Sequence, residues 1–225
     1  MRQVAARITP FVVLLVVALP GMADSRLTIE EGSGLVGDGA ELPEGMRESL
    51  ANQEPTTVTY WFTGDRAARV DKSGSIISRL DRSEAYFVNT DAKTYTVIEM
   101  GGPEDGPAPT AVSKLVQSGE TRKIASWNTV RYDMTIEMGD EPAEIVLWVS
   151  DEVDVDLSSY RAFVEAMADS QGMEWMKSFL EIDGYPVRQE FRMGPILSWQ
   201  QLVSVSQEPA PAGTYEAPAG FAKVD

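Results

Sequence analysis

The chain has 225 residues, a formal net charge of −16, and neither histidine nor cysteine. Those absences exclude Ser-His-Asp and Cys-His nucleophiles, disulfides, thiolate zinc sites and His-ligated metals. A sequence pI near 4.4 sets the chain against nucleic acid and against direct adhesion to anionic membranes, because a strongly negative surface repels phosphate.

Residues 1–23 have the layout of a secretory signal. Arg2 and Arg7 supply the positive start, Phe11 to Leu19 is an unbroken apolar run, and Pro20-Gly21 breaks it. Gly21 and Ala23 then offer the small residues of a cleavage site, with cleavage expected after Ala23. The run is too short for a permanent span, which needs about 20 apolar residues. Export without disulfides suits the bacterial periplasm. What remains is long enough for one domain that buries roughly 70% of its unfolded surface.

From Asp24 to Pro55 the chain is rich in glycine and acid and shows little periodicity, with one short helical turn over Met46 to Ala51. Short strand-like segments follow, separated by turn chemistry. Thr57 to Thr63 places Val58, Tyr60 and Phe62 on one face. Ala67 to Val70 runs into the turn Asp71-Lys72-Ser73-Gly74. Ile76 to Leu80, Glu84 to Asn89 and Thr94 to Met100 complete a meander.

Gly101 to Pro109, with three prolines and three glycines, is expected to be an exposed loop. In Thr129 to Met138 the residues Val130, Tyr132, Met134, Ile136 and Met138 alternate with polar ones, which predicts a strand with one face on a core and one in water. Ala143 to Val149 is apolar on both faces and must be covered on both.

Leu157, Tyr160, Val164 and Met167, with Phe163 beside them, recur at helical spacing, and Asp156 or Ser158 can cap the start. Met173, Met176, Phe179 and Leu180 suggest a second helical piece. Strands return at Val187 to Met193 and Ile196 to Val205, and Thr214 to Val224 forms a last edge segment. Strands, a helical insertion, then more strands predict a mainly β (α+β) protein whose antiparallel sheet has helices on one side.

Several segments carry a family likeness. They are Asp91-Ala92-Lys93-Thr94-Tyr95-Thr96, Ile124-Ala125-Ser126-Trp127-Asn128-Thr129, Leu147-Trp148-Val149-Ser150 before Asp151, and Tyr215-Glu216-Ala217-Pro218-Ala219-Gly220-Phe221. In order and spacing they resemble an uncharacterised family of exported bacterial proteins, a domain of unknown function. Through it the chain resembles the LolA and LppX lipoprotein-carrier superfamily. Ser126 and Thr129 stand where the uncharacterised family tends to have glycine and cysteine, so no thiol chemistry carries over. The likeness implies a LolA-like domain over residues 56–225, a curved antiparallel half-barrel sheet wrapped round one or two helices with an apolar hollow between. Residues 24–55 precede it as a Gly- and acid-rich segment.

The chemistry candidates weigh against catalysis. Asp151, Glu152, Asp154 and Asp156 lack the glycine and closing glutamate of an EF-hand and suit the start of a helix instead. Gly32-Ser33-Gly34 and Gly37-Asp38-Gly39 have neither a lysine nor a preceding strand with which to cradle phosphate. The remaining signal is apolar. Trp61, Phe62, Tyr86, Trp148, Phe163, Met167, Met176, Phe191, Met193 and Trp199 are candidates to line a hollow, and the same residues are compatible with a filled core.

The expected function is therefore non-catalytic binding of a hydrophobic ligand, a lipid or lipoprotein acyl chain, by a periplasmic monomer that needs no cofactor or metal. An acidic carrier would require an envelope protein as docking partner. The alternatives are an envelope interaction protein with a solid core, and a hydrolase built on paired carboxylates.

Overall fold

The computed structural model of the protein describes residues 24–37, 39–100, 111–112, 114–138, 141–171 and 173–224. The leader expected over residues 1–23 and the loop expected over Gly101 to Pro109 lie outside the described residues. No helix among those described is long and apolar enough to cross a membrane.

The protein is mainly β. Its strands are β1 (Asp24–Leu35), β2 (Thr56–Thr63), β3 (Arg66–Val70), β4 (Gly74–Arg79), β5 (Glu84–Asn89), β6 (Thr94–Glu99), β7 (Ala111–Val112), β8 (Val116–Ile124), β9 (Trp127–Met138), β10 (Glu141–Ser150), β11 (Tyr185–Met193), β12 (Ile196–Glu208) and β13 (Ala222–Lys223). The helices are α1 (Glu44–Ala51) and α2 (Leu157–Gln171), with 3-10 helices at Leu80–Arg82 and Glu174–Glu181. Among the described residues, all thirteen strands belong to one open, curved sheet. Its order is β13-β6-β5-β4-β3-β2-β1-β12-β11-β10-β9-β7, with β8 also on β9. Among the described strands only β13 with β6 is parallel.

Chain connectivity requires the curvature. Strands β6 and β7 lie near opposite edges, yet only eleven residues separate Glu99 from Ala111. That stretch reaches about 43 Å at most, whereas ten inter-strand steps in a flat sheet span about 48 Å. A flat sheet could not be connected this way.

Local chemistry sets the hairpins. In the β3–β4 turn the Asp71 carboxylate accepts from the Ser73 and Gly74 amides at 2.7 and 3.1 Å, an Asx-type turn. Between β5 and β6 the Asn89 side chain accepts from the Ala92 amide at 2.9 Å. The apolar stripe of α2 is helical as its spacing predicts. Asp156 caps it, accepting from the Ser158 and Ser159 amides at 3.0 and 3.3 Å.

Alternation divides the core between the two faces of the sheet. On the inner face Leu27, Ile29, Val58, Phe62 and Leu202 pack with Tyr160 and Phe163 of α2. Further along the same face, Met134, Ile136, Ile145, Leu147 and Val149 pack beneath Trp175 and Phe179 of the second 3-10 helix. On the outer face Trp61, Ala68, Ile77, Tyr86 and Val88 are covered by Tyr215 and the C-terminal segment. The buried Arg79 pins that segment, bonding Asp81 at 2.6 Å, Glu216 at 2.5 Å and the Tyr215 carbonyl at 3.1 Å.

Several expectations change. Asp24 to Leu35 is not aperiodic chain: it is a central strand, paired to β2 on one side and β12 on the other. Its glycines and acids hid an inward row of Leu27, Ile29, Glu31 and Ser33. The short helical turn at Met46 begins earlier, at Glu44. Strand β8 was not expected, because eight of its nine residues are exposed and it carries no apolar alternation. The last edge segment shrinks to Ala222–Lys223, since the preceding prolines and glycines hold the chain in turns. The apolar run in β10 is covered on both faces, with Ile145, Leu147, Trp148 and Val149 all buried.

Two outcomes follow from this packing. Met134, at 3% exposure, faces the core, so Met134→Asp should abolish native near-UV circular dichroism by burying a charge; a folded variant would place that face in water. Deleting Asp24–Leu35 exposes the edges of β2 and β12 at the centre of the sheet. Size-exclusion chromatography should then show aggregate in place of the native species.

Candidate functional site

One row of inward-facing residues crosses the middle of the sheet. Register pairs Thr56 with Glu31, Glu31 with Gln200, Gln200 with Gln189, and Gln189 with Leu147. The neighbouring row on one side is Val58, Ile29 and Leu202; on the other it is Ser33, Ser198, Phe191 and Ile145. A polar band thus interrupts an otherwise largely apolar inner face.

The Glu31 carboxylate organises the band. It accepts from the Tyr60 hydroxyl at 2.8 Å, from Arg69 Nη2 at 2.6 Å, and from Gln200 Nε2 at 3.1 Å. Arg69 also donates to Asp71 at 2.6 Å, so one guanidinium bridges two carboxylates in charge-assisted bonds. Burial, then the Glu31 charge, raises the Tyr60 pKa, and the bond to Glu31 raises that of Arg69. Asp71 is lowered to about 2, first by the Ser73 hydroxyl and also by Arg69.

Two cavities adjoin this band. The larger, about 640 Å³, is open; Glu31, Arg69 and Asp71 line one wall, and Ile145, Trp175, Phe179 and Phe191 the other. The smaller, about 150 Å³, lies under α2 among Leu27, Ile29, Phe62, Ala67, Phe163 and Leu202. Tyr160 and Tyr185 close it with an edge-to-face contact at 4.9 Å, and burial raises the pKa of both. Gln189 and Gln200 line both cavities.

The expected lining residues divide. Phe62 and Phe163 meet at the smaller cavity and Phe191 lines the larger; Trp199 borders the larger too, but pairing with Gly32 and Glu190 sets it on the other side of β12 from Ser198 and Gln200. Trp199 lies across Gly32, where a Cβ would sit 2.7 Å from the indole ring. Trp61 borders the smaller cavity but packs with Tyr86 in the outer cluster, beneath Arg26. Trp148 is held on the other side of β10 from Leu147, with the Arg122 guanidinium 3.7 Å from its ring centre, a cation–π contact. Met167 and Met176 are half-buried on α2 and the second 3-10 helix, while Met193 is exposed at the end of β11. Glu31, Tyr60, Arg69, Gln189 and Gln200 belong to no motif. Their only signal is a polar residue at a strand position whose neighbours two residues away point into the core, as in Val187-x-Gln189-x-Phe191.

Among the described residues the carboxyls whose surroundings clearly shift them, Asp71, Asp81, Glu152, Asp156 and Glu208, are all shifted down. A general acid needs the opposite shift. In the acidic turn after β10, Glu152 accepts from Asn128 and Asp156 caps α2.

The Asp71 shift has a definite sign. Its folded value, about 2, lies below the unfolded value of about 3.9. Its stabilising contribution is therefore complete above pH 4 and is lost as pH falls through 2. Urea midpoints measured from pH 6 to pH 2 should show Asp71→Asn less stable than wild type at pH 6, with the gap closing below pH 4.

No curated protein matches the chain. A family model does match, over residues 54–221. On that match the chain belongs to the family described as a domain of unknown function, DUF4412.

Proposed function

We propose that the protein is an exported, non-catalytic binding protein that carries a hydrophobic ligand, a lipid or acyl chain, on the inner face of its sheet. The observation that carries this reading is the pair of adjoining cavities between the curved sheet and its helices, one of them lined mainly by Leu27, Ile29, Phe62, Phe163 and Leu202. Burial of alkyl surface there contributes about 25 cal/mol per Å², and an open larger cavity provides an exit. A volume near 640 Å³ falls within the range of small-molecule sites.

The leader-like residues 1–23 and the resemblance to the LolA and LppX carriers support the periplasm as the place of action. The net charge of −16 favours hand-over through a docking protein of the envelope rather than direct contact with an anionic bilayer. The downward shifts of the perturbed carboxyls favour binding over hydrolysis.

Native mass spectrometry of protein purified gently from the periplasm, before and after solvent extraction, tests the reading. The expected result is an added mass that extraction removes and recovers as lipid. Ala67 lines the smaller cavity, so Ala67→Phe should displace a few methylene groups and weaken binding of the apolar dye 1-N-phenylnaphthylamine about tenfold. A bare polypeptide mass together with no dye binding would overturn the proposal and leave a solid-cored interaction protein.

A further inference from the structure

The polar band gives the hollow a chemical selectivity that an apolar cavity alone would lack. Where the two cavities meet, the Gln189 side-chain amide makes no hydrogen bond with any described residue, although it lines both. Gln200 is oriented by its neighbour. Glu31 can only accept, so Gln200 turns its Nε2 toward that carboxylate at 3.1 Å and its Oε1 is left as an acceptor. The waist of the hollow therefore presents one unused amide with both donor and acceptor, and one unused carbonyl oxygen.

The charges at the same level are already matched. Arg69 is held by Glu31 and Asp71. Around the larger cavity two carboxylates, Glu31 and Asp71, stand with two cations, Arg69 and Lys72, while Glu190 is paired to Arg188 at 2.6 Å. An ionised ligand group at the waist would find the Arg69 guanidinium already committed to two carboxylates. Lys72 is exposed on the β3–β4 turn, at the outer wall of the larger cavity. An uncharged ester, amide or hydroxyl there would meet two neutral partners of complementary type, while unmet amides beside an apolar ligand would cost free energy.

The geometry points to an amphiphile with an uncharged, hydrogen-bonding group that sits between Gln189 and Gln200, its alkyl end in the smaller cavity and its remainder in the larger. The inference rests on the hollow being a ligand site, and it names the class of ligand: neutral acyl esters or amides, in preference to free fatty-acid or phosphate anions. Recognition is by hydrogen bonding inside the sheet rather than by charge at the rim.

A chain-matched pair tests it. Displacement of bound 1-N-phenylnaphthylamine from the purified protein at pH 7 is titrated with monodecanoylglycerol and with decanoate. The neutral ester should displace the dye at a concentration lower by about tenfold or more. Gln189→Leu should weaken the ester about fivefold relative to the dye, and continued dye binding by the variant reports a folded hollow. Lys72→Ala should leave the ester unaffected. Equal or tighter binding of decanoate, decanoate binding that depends on Lys72, or an ester indifferent to Gln189→Leu would overturn the inference while dye binding keeps the hollow itself. Failure of the dye to bind at all would overturn the hollow as a ligand site, and the inference with it.

Discussion

Strand β1 is hydrogen-bonded on one side to β2 and on the other to β12, with Asp24 opposite Glu208 and Leu35 opposite Ile196. Everything else in the sheet depends on that pairing. To one side of β1 runs the meander β2 to β6; to the other runs the series from β12 back to β9. Without β1 these are two separate sheets with unpaired central edges. The β1–β12 contact also joins residues far apart in the chain, so its loop-closure entropy is met only once most of the protein exists. The first strand made waits for nearly the last.

The same strand carries the chemistry of the inner face. Leu27 and Ile29 extend the apolar floor under α2, and Glu31 two residues on gathers Tyr60, Arg69 and Gln200. A half-buried carboxylate is tolerated when donors surround it, and here the donors come from three other strands. The family match begins at residue 54, beyond β1, yet the sheet of this chain is incomplete without residues 24–35. The structural unit is larger than the matched segment.

An acidic protein stabilises its outer surface by assigning its few arginines to particular tasks. Arg79 holds the C-terminal segment through Asp81, Glu216 and the Tyr215 carbonyl. Arg122 and Arg188 lie over Trp148 and Trp199 at 3.7 and 4.7 Å. Such planar contacts cover aromatic surface while leaving the charge near water. The inner face has a different arrangement, in which a single arginine serves two acids and the free polar groups are neutral.

Much of the architecture was legible along the chain because it is local. The alternation in Thr129 to Met138, the helical stripe from Leu157 to Met167, the cap at Asp156 and the Asp71 turn each depend on residues within a few positions, and each formed as expected. The class of fold followed from their order. What sequence could not reveal depended on register between distant strands: that Asp24 to Leu35 is central, that β8 pairs despite its exposed residues, and that Trp61 and Tyr86 pack on the outer cluster. Glu31, Gln189 and Gln200 sit in one row only because β1, β11 and β12 pair in a particular alignment, and a shift of one residue would turn them outward. Periodicity, caps and turns can be read along the chain because they arise from neighbouring residues. The place of the polar band and its two cavities cannot, because it arises from strand pairings that span almost the whole chain.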